Sequence, residues 1–266
     1  MRSRPPVFAG TFYPDKPQEL AAAVKGFVSE AEPLAMTAPP KAIIAPHAGY
    51  IYSGPVAGTA YASFLARGKD VERVVLLGPS HRVAFSGLAA SGANSFETPI
   101  GPVTVDRESV ALAIKEAHVH ELEAAHAQEH SLEVHCPFIK HVFPAAHIVP
   151  LLAGDENWEA ASQVLRLLWG DDATVVVVSS DLSHYHDYAA ARRIDAATAQ
   201  TVERLGAGQI EPEQACGATA INALLALASE KGCACTTLDL RNSGDTAGPR
   251  GRVVGYGAFA ARSASS

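Results

Sequence analysis

The sequence reads as an α/β protein: one domain, residues 1–266, built on a largely parallel central sheet with helices on both faces. Its strand-like runs are aliphatic and lack period-two alternation, the pattern of strands buried on both sides. Helical patterns lie between those runs, and strands alternating with helices favour a parallel sheet. Glycine and proline are scattered as punctuation, and no repeat, low-complexity segment or linker divides the chain.

"PQELAAAVKGFVSEA" (17–31) sets Leu20, Val24 and Phe27 at helical spacing. "KAIIAP" (41–46) is a short buried strand leading to His47. The stretch after it reads as a loop, in which Gly49 and Gly54 pass close to a metal or substrate and Tyr50 and Tyr52 either line the pocket or simply pack. "VERVVLLGPSH" (71–81) is a second strand leading to His81. "SGANSFETPIGPVTVD" (91–106) reads as a hairpin turning at "TPIGPV", and "RESVALAIKEA" (107–117) as a helix. A strand at 145–154, a helix at 157–170 and the strand run "ATVVVVSSDLSH" (173–184), ending at His184, come next. Helices at 188–205 and 218–232 and a strand at 251–260 complete the chain. "ARRID" (191–195) reads as a solvated helix face.

Apolar residues make up 48% and charged residues 18% of the 266, the balance of a folded domain rather than a disordered chain. The net charge of −7 argues against a nucleic-acid-binding surface. No apolar run reaches the roughly 18 residues a bilayer span needs, and the N-terminus lacks the apolar core of a signal peptide. Four cysteines in so long a chain are not a disulfide framework. The expectation is a cytoplasmic protein with no membrane and no nucleic acid among its partners.

In open α/β sheets ligands bind at the carboxyl ends of the strands. His47, His81 and His184 each stand at or past such an end, and imidazole suits Fe, Zn, Cu and Ni. Each alone also reads as a hydrogen-bonding strand terminus, but three after strands of one type point to a metal or catalytic site. Such a site wants an anionic ligand. Asp181 reads either as a helix N-cap or as a base. Cys216 stands before an apolar helix, whose dipole is expected to lower its pKa and make it a ligand. "EHSLEVHCPFIKH" (129–141) is a second polar cluster; it reads either as a solvated amphipathic helix or as residues, His130, Glu133 and His135, that face substrate or support the ligands. His118, His120 and His126 read as surface residues, and Cys233 and Cys235 as buried strand thiols. The sequence carries no nucleotide-phosphate loop and no GxSxG nucleophile elbow.

At these residues the chain resembles the Memo family, whose bacterial and archaeal members are called AmmeMemoRadiSam system protein B. The matching segments are "FAGTFYP" (8–14), "IIAPHAGYIYSG" (43–54), "LLGPSH" (76–81), "EHSLEVHCPF" (129–138), "VVSSDLSHY" (177–185), "CGATAI" (216–221) and "SGDTAG" with "VVGYGAF" (243–259). The resemblance implies a fold similar to class III extradiol dioxygenases, which are non-haem iron enzymes. It implies His47 and His81 as metal ligands, Cys216 in place of a carboxylate, and His184 as the acid/base. Three functions stand at this point. One is a dioxygenase-like redox enzyme using Fe(II), with Cu or Zn as alternatives, on a small substrate. Another is a binding module for a small molecule or peptide, acting as partner to a radical-SAM enzyme. The third is a metal-dependent hydrolase with Asp181 as base.

Overall fold

Aliphatic runs buried at every position past the first residue form the centre of the sheet, where such residues pack well on both faces. The computed structural model describes residues 2–31, 39–117, 119–155 and 157–263. In chain order its elements are β1 (Ser3–Arg4), α1 (Pro17–Ser29), β2 (Ala42–Ala45), α2 (Tyr50–Ala62), β3 (Arg73–Pro79), β4 (Leu88–Ala90), β5 (Ser95–Phe96) and β6 (Val103–Thr104). Then come α3 (Arg107–Glu116), β7 (Val119–Glu121), α4 (Glu123–Ala127), α5 (Cys136–Val142), β8 (His147–Ala153), α6 (Trp158–Leu168), β9 (Thr174–Ser179) and β10 (His184–His186). Last are α7 (Tyr188–Glu203), α8 (Ala218–Glu230), β11 (Cys233–Asn242), α9 (Ser243–Thr246) and β12 (Val253–Ser263).

The large sheet runs β10-β12-β2-β9-β3-β8-β4-β7, with β11 paired to β12. Its four central strands, β2, β9, β3 and β8, are mutually parallel. Antiparallel pairs flank them: β12 with β2 on one side and β4 with β8 on the other. The expected parallel sheet is therefore the centre of a mixed one. The hairpin at 91–106 is present as β5 and β6, which join β1 in a small separate sheet. Helices α1, α2 and α5 pack together, as do α3, α6 and α8, and one continuous apolar core runs through strands and helices alike. Among the described residues no helix is long and apolar enough to cross a membrane.

Helix α2 corrects the expected loop after His47. Gly54, Pro55 and Gly58 all lie inside the helix. A Cβ at Gly58 would lie 2.4 Å from the Phe27 carbonyl, and one at Gly54 would lie 2.5 Å from the Phe27 ring. The small residues let α1 approach α2, and that packing overrides a weak helix propensity. "ARRID" is also corrected in part: Arg192 and Arg193 are exposed, but Ala191 and Asp195 are buried.

Candidate metal centre

β2, β9 and β3 are adjacent and parallel, so the chain leaves all three at one end of the sheet. His47 stands just past β2, His81 just past β3, and Ser179 closes β9 between them. Cys216 reaches the same place from the segment before α8. A Cβ at its neighbour Gly217 would lie 2.7 Å from the Ser179 carbonyl, so glycine is what lets this segment lie against the end of β9. The Cys216 backbone N–H donates to the Asp181 carbonyl at 3.3 Å. His47, His81 and Cys216 then offer one ligand atom each, all within 4.8 Å of one another.

Hydrogen bonding decides which ring nitrogens are free. A hydroxyl has one proton. Ser179 gives its proton to the Ser131 carbonyl at 2.7 Å, so the two imidazoles against its oxygen must donate: His47 Nδ1 at 2.6 Å and His135 Nε2 at 3.0 Å. His135 Nδ1 in turn accepts from the Tyr61 hydroxyl at 3.1 Å. His47 Nε2 is left with its lone pair, 3.3 Å from Cys216 Sγ. Glu129 sets His81 the same way. One carboxylate oxygen accepts the His81 backbone N–H at 2.5 Å and the other accepts Nδ1–H at 2.9 Å, which leaves Nε2 free. A histidine whose second nitrogen donates to a fixed oxygen is the usual arrangement of a metal ligand. Two imidazole lone pairs and a thiol fit a transition metal such as Fe, Cu or Zn.

Electrostatics keep His47 and Cys216 neutral. Burial, then the neighbouring His130, His81 and His135, hold His47 well below the usual histidine pKa. Burial, then Asp181, push the Cys216 thiol up to about 12. That corrects the expected dipole-lowered thiolate: removal from water outweighs a helix end that begins only at Ala218. Glu129 behaves oppositely. Burial disfavours its charge, but hydrogen bonds centred on His130, His81 and Ser131 hold it well below the carboxylate range.

A cavity of about 600 Å³ opens over the two imidazoles. Its lining includes His130, Asp181, His184, Tyr52 and Tyr256. Cys216 is not among its lining residues and borders a second, smaller cavity of about 260 Å³. The His130 ring stacks on His81 with centroids 4.8 Å apart and meets His47 edge-on at 5.3 Å.

Comparison with known proteins bears directly on this arrangement. The family model described as Memo-like protein matches residues 4–260. A MEMO1 family protein of Aquifex aeolicus is 34% identical over 96% of this chain and 98% of its own length. Another, from Methanopyrus kandleri, is 32% identical over 97% and 99%. A third, from Desulfurococcus amylolyticus, is 30% identical over 97% and 99%.

The chain belongs to the Memo family.

In this Memo chain, the candidate residues read from the sequence separate into three groups. His47, His81 and Cys216 come together. Asp181, His184, Tyr52 and His130 line the cavity over them. Asp181 is not a helix N-cap: it accepts the His47 backbone N–H at 2.8 Å and so fixes the segment that carries the ligand. Burial raises its pKa. Tyr50, Glu133 and His135 do not line the cavity; Tyr50 packs and His135 supports a candidate ligand, the alternatives to meeting substrate. Tyr50 is buried with its hydroxyl donating to the Val134 carbonyl at 2.8 Å. Glu133 is fully buried and accepts from Arg4, from the Val7 and Phe8 backbone and from Tyr13, so it anchors the N-terminal segment. His135 acts behind His47 through Ser179. Gly54 serves helix packing rather than approach to a metal.

Of the three histidines read as surface residues, His120 is exposed, His126 is buried with Nε2 on the Ala89 carbonyl, and His118 lies outside the described residues. Cys233 and Cys235 are buried thiols in β11. Sequence reasoning missed Ser179 and Glu129. Both sit inside quoted motifs, but each matters through a partner about 50 residues away in the chain, which periodicity does not register.

Proposed function

We propose that this protein is a metal-dependent redox enzyme that uses Fe(II) on a small molecule held in the strand-end cavity. One observation carries the reading: His47, His81 and Cys216 each offer a ligand atom within 4.8 Å of the others, beside a cavity large enough for a ring-sized substrate. The set resembles the two-histidine, one-carboxylate triad of non-haem iron oxygenases, with a thiolate in the carboxylate's place. Bound iron supplies one-electron chemistry and open positions for small ligands. The chain's own groups do the rest. Ser179 and Glu129 hold the two imidazoles in the ligating tautomer. His184, at the cavity wall, takes or returns a substrate proton at its ring nitrogen. Asp181 keeps the His47 segment in register, and Tyr52 and Tyr256 wall the substrate off from water. Four free thiols among the described residues support a reducing, cytoplasmic setting.

The test is anaerobic Fe(II) titration of the metal-stripped protein beside His47→Ala and Cys216→Ser. Bound metal is read by elemental analysis, and oxygen uptake is followed with a small catechol panel. Stoichiometric iron in the wild type, lost in both variants and accompanied by oxygen uptake, is the expected result. Iron held without uptake turns the reading toward a ligand-binding partner of a radical-SAM enzyme. Turnover of an ester without oxygen turns it toward hydrolysis. No specific metal removes it.

A further inference from the structure

β10 is bulged at the cavity mouth. His184 pairs with Val254 and His186 with Val253, so Tyr185 is an extra residue facing no partner of its own. Its φ of +63° lies in the left-handed region, which non-glycine residues avoid. Bulges re-aim side chains beside functional sites, and strain of this kind concentrates there. The result is that Tyr185 stands at the mouth, 64% exposed, with the Arg252 guanidinium 5.0 Å over its ring. A cation stacked on an aromatic face is pre-oriented, with its donor fork still open.

Arg252 is not alone. Arg82 lines the same cavity, and among the described residues neither arginine pairs with a carboxylate. Elsewhere Arg4, Arg73, Arg107, Arg166 and Arg241 do pair with one, while Arg192, Arg193 and Arg204 also stand without a carboxylate among the described residues, on a chain whose net charge is −7. A pair of unmatched cations over a metal-ligand cluster awaits an anion.

The local backbone narrows the anion. Phosphate sites commonly add a nest of free amides or a helix N-terminus. Here the Gly244 N–H is spent on Asn242 Oδ1 and the Val254 N–H on Ser243 Oγ. α9 has only four residues, and its own capping box closes it. α2 also begins at the cavity, with its N-cap Gly49 in the lining, but there the Tyr50 N–H is spent on the Phe12 carbonyl and the Tyr52 N–H on the Gly49 carbonyl. The planar guanidinium fork then meets the ligand first, and it matches the two oxygens of a carboxylate as it does those of a phosphate, which the experiment below separates. Phe12, Tyr52 and Tyr256 offer the rest of the ligand an apolar, ring-sized wall.

We propose that the substrate of this site is a small carboxylate with an apolar body, its carboxylate held at the mouth by the Tyr185-stacked Arg252 with Arg82 beside it. The inference rests on the strand-end cavity being the ligand site, as the proposed function also assumes. It does not depend on iron or oxygen.

The experiment is calorimetric binding of benzoate, benzamide and phenyl phosphate to the protein as purified, under argon. The expected result is benzoate tighter than its neutral isostere benzamide by about tenfold or more, an advantage that raised salt weakens. Arg252→Gln should erase the advantage while benzamide binding and thermal unfolding stay unchanged. Arg252→Lys should restore only part of it, because an ammonium lacks the planar fork. Equal binding of benzoate and benzamide, an advantage that survives Arg252→Gln, or no benzoate binding at all would each overturn the proposal. Phenyl phosphate bound more tightly than benzoate would overturn the carboxylate assignment. Turnover is not read, so none of these outcomes bears on the redox reading, and absence of oxygen uptake does not bear on this one.

Discussion

A single hydroxyl proton organises the metal-facing side of the site. Because Ser179 spends its proton on Ser131, His47 must donate from Nδ1 and present Nε2. Ser179→Ala removes that constraint without touching a ligand. Metal affinity is then expected to fall about 10- to 100-fold, the usual cost of losing a ligand's hydrogen-bond partner, with the far-ultraviolet circular dichroism unchanged. Chelator competition would measure it, and wild-type affinity would show that Ser179 does not set the tautomer. His47 and His81 were visible in the sequence because each ends a recognisable strand. Ser179 was not, because nothing in "VVVVSS" says that Ser131 and His135 lie across from it.

At the level of elements, the site depends on how closely the segment before α8 meets the end of β9. A Cβ on residue 217 collides with backbone, which cannot swing aside as a side chain does. Gly217→Ala is therefore expected to destabilise the fold by about 1–3 kcal/mol and to displace Cys216 from the imidazoles. Urea denaturation and metal content together would check both effects. Gly251→Ala, at a position with nothing within 4 Å, is the matched control and should change neither. Helix α2 carries the complementary lesson. Its sequence reads as a loop around Gly49 and Gly54, and it is a helix because Phe27 fills the space that Gly54 and Gly58 leave.

For the whole molecule, stability should carry a pH signature from Asp195. This α7 carboxyl is 2% exposed, accepts the Ser183 backbone N–H at 3.0 Å and forms no ion pair among the described residues. Burial raises its pKa from 3.8 to about 6. The folded state therefore holds this proton more tightly than the unfolded chain. The resulting stabilisation is fully present below 3.8 and is lost as pH rises through about 6. Asp195→Asn keeps an acceptor for Ser183 and removes the charge. Urea unfolding across that window should show a slope in the wild type that the variant lacks. Above the window the variant should be the more stable, by up to roughly 3 kcal/mol. A variant with the wild-type slope would place the titration elsewhere.

The sequence by itself determined the α/β class, the order of the main strands and helices, and the strand-end histidines His47 and His81, because these follow from local periodicity and from the rule that ligands gather at carboxyl ends, whereas β9 ends at Ser179 and His184 lies in β10. Its motifs also carried the Memo resemblance, which the family comparison bears out. Tertiary structure decided the antiparallel edges of the sheet and the turning of Tyr50, Glu133 and His135 into the interior. It also supplied Ser179 and Glu129 behind the ligands, and Tyr185 with Arg252 at the mouth. Each of these depends on contacts between residues far apart in the chain. Burial and hydrogen bonding choose among such contacts only once the strands are side by side.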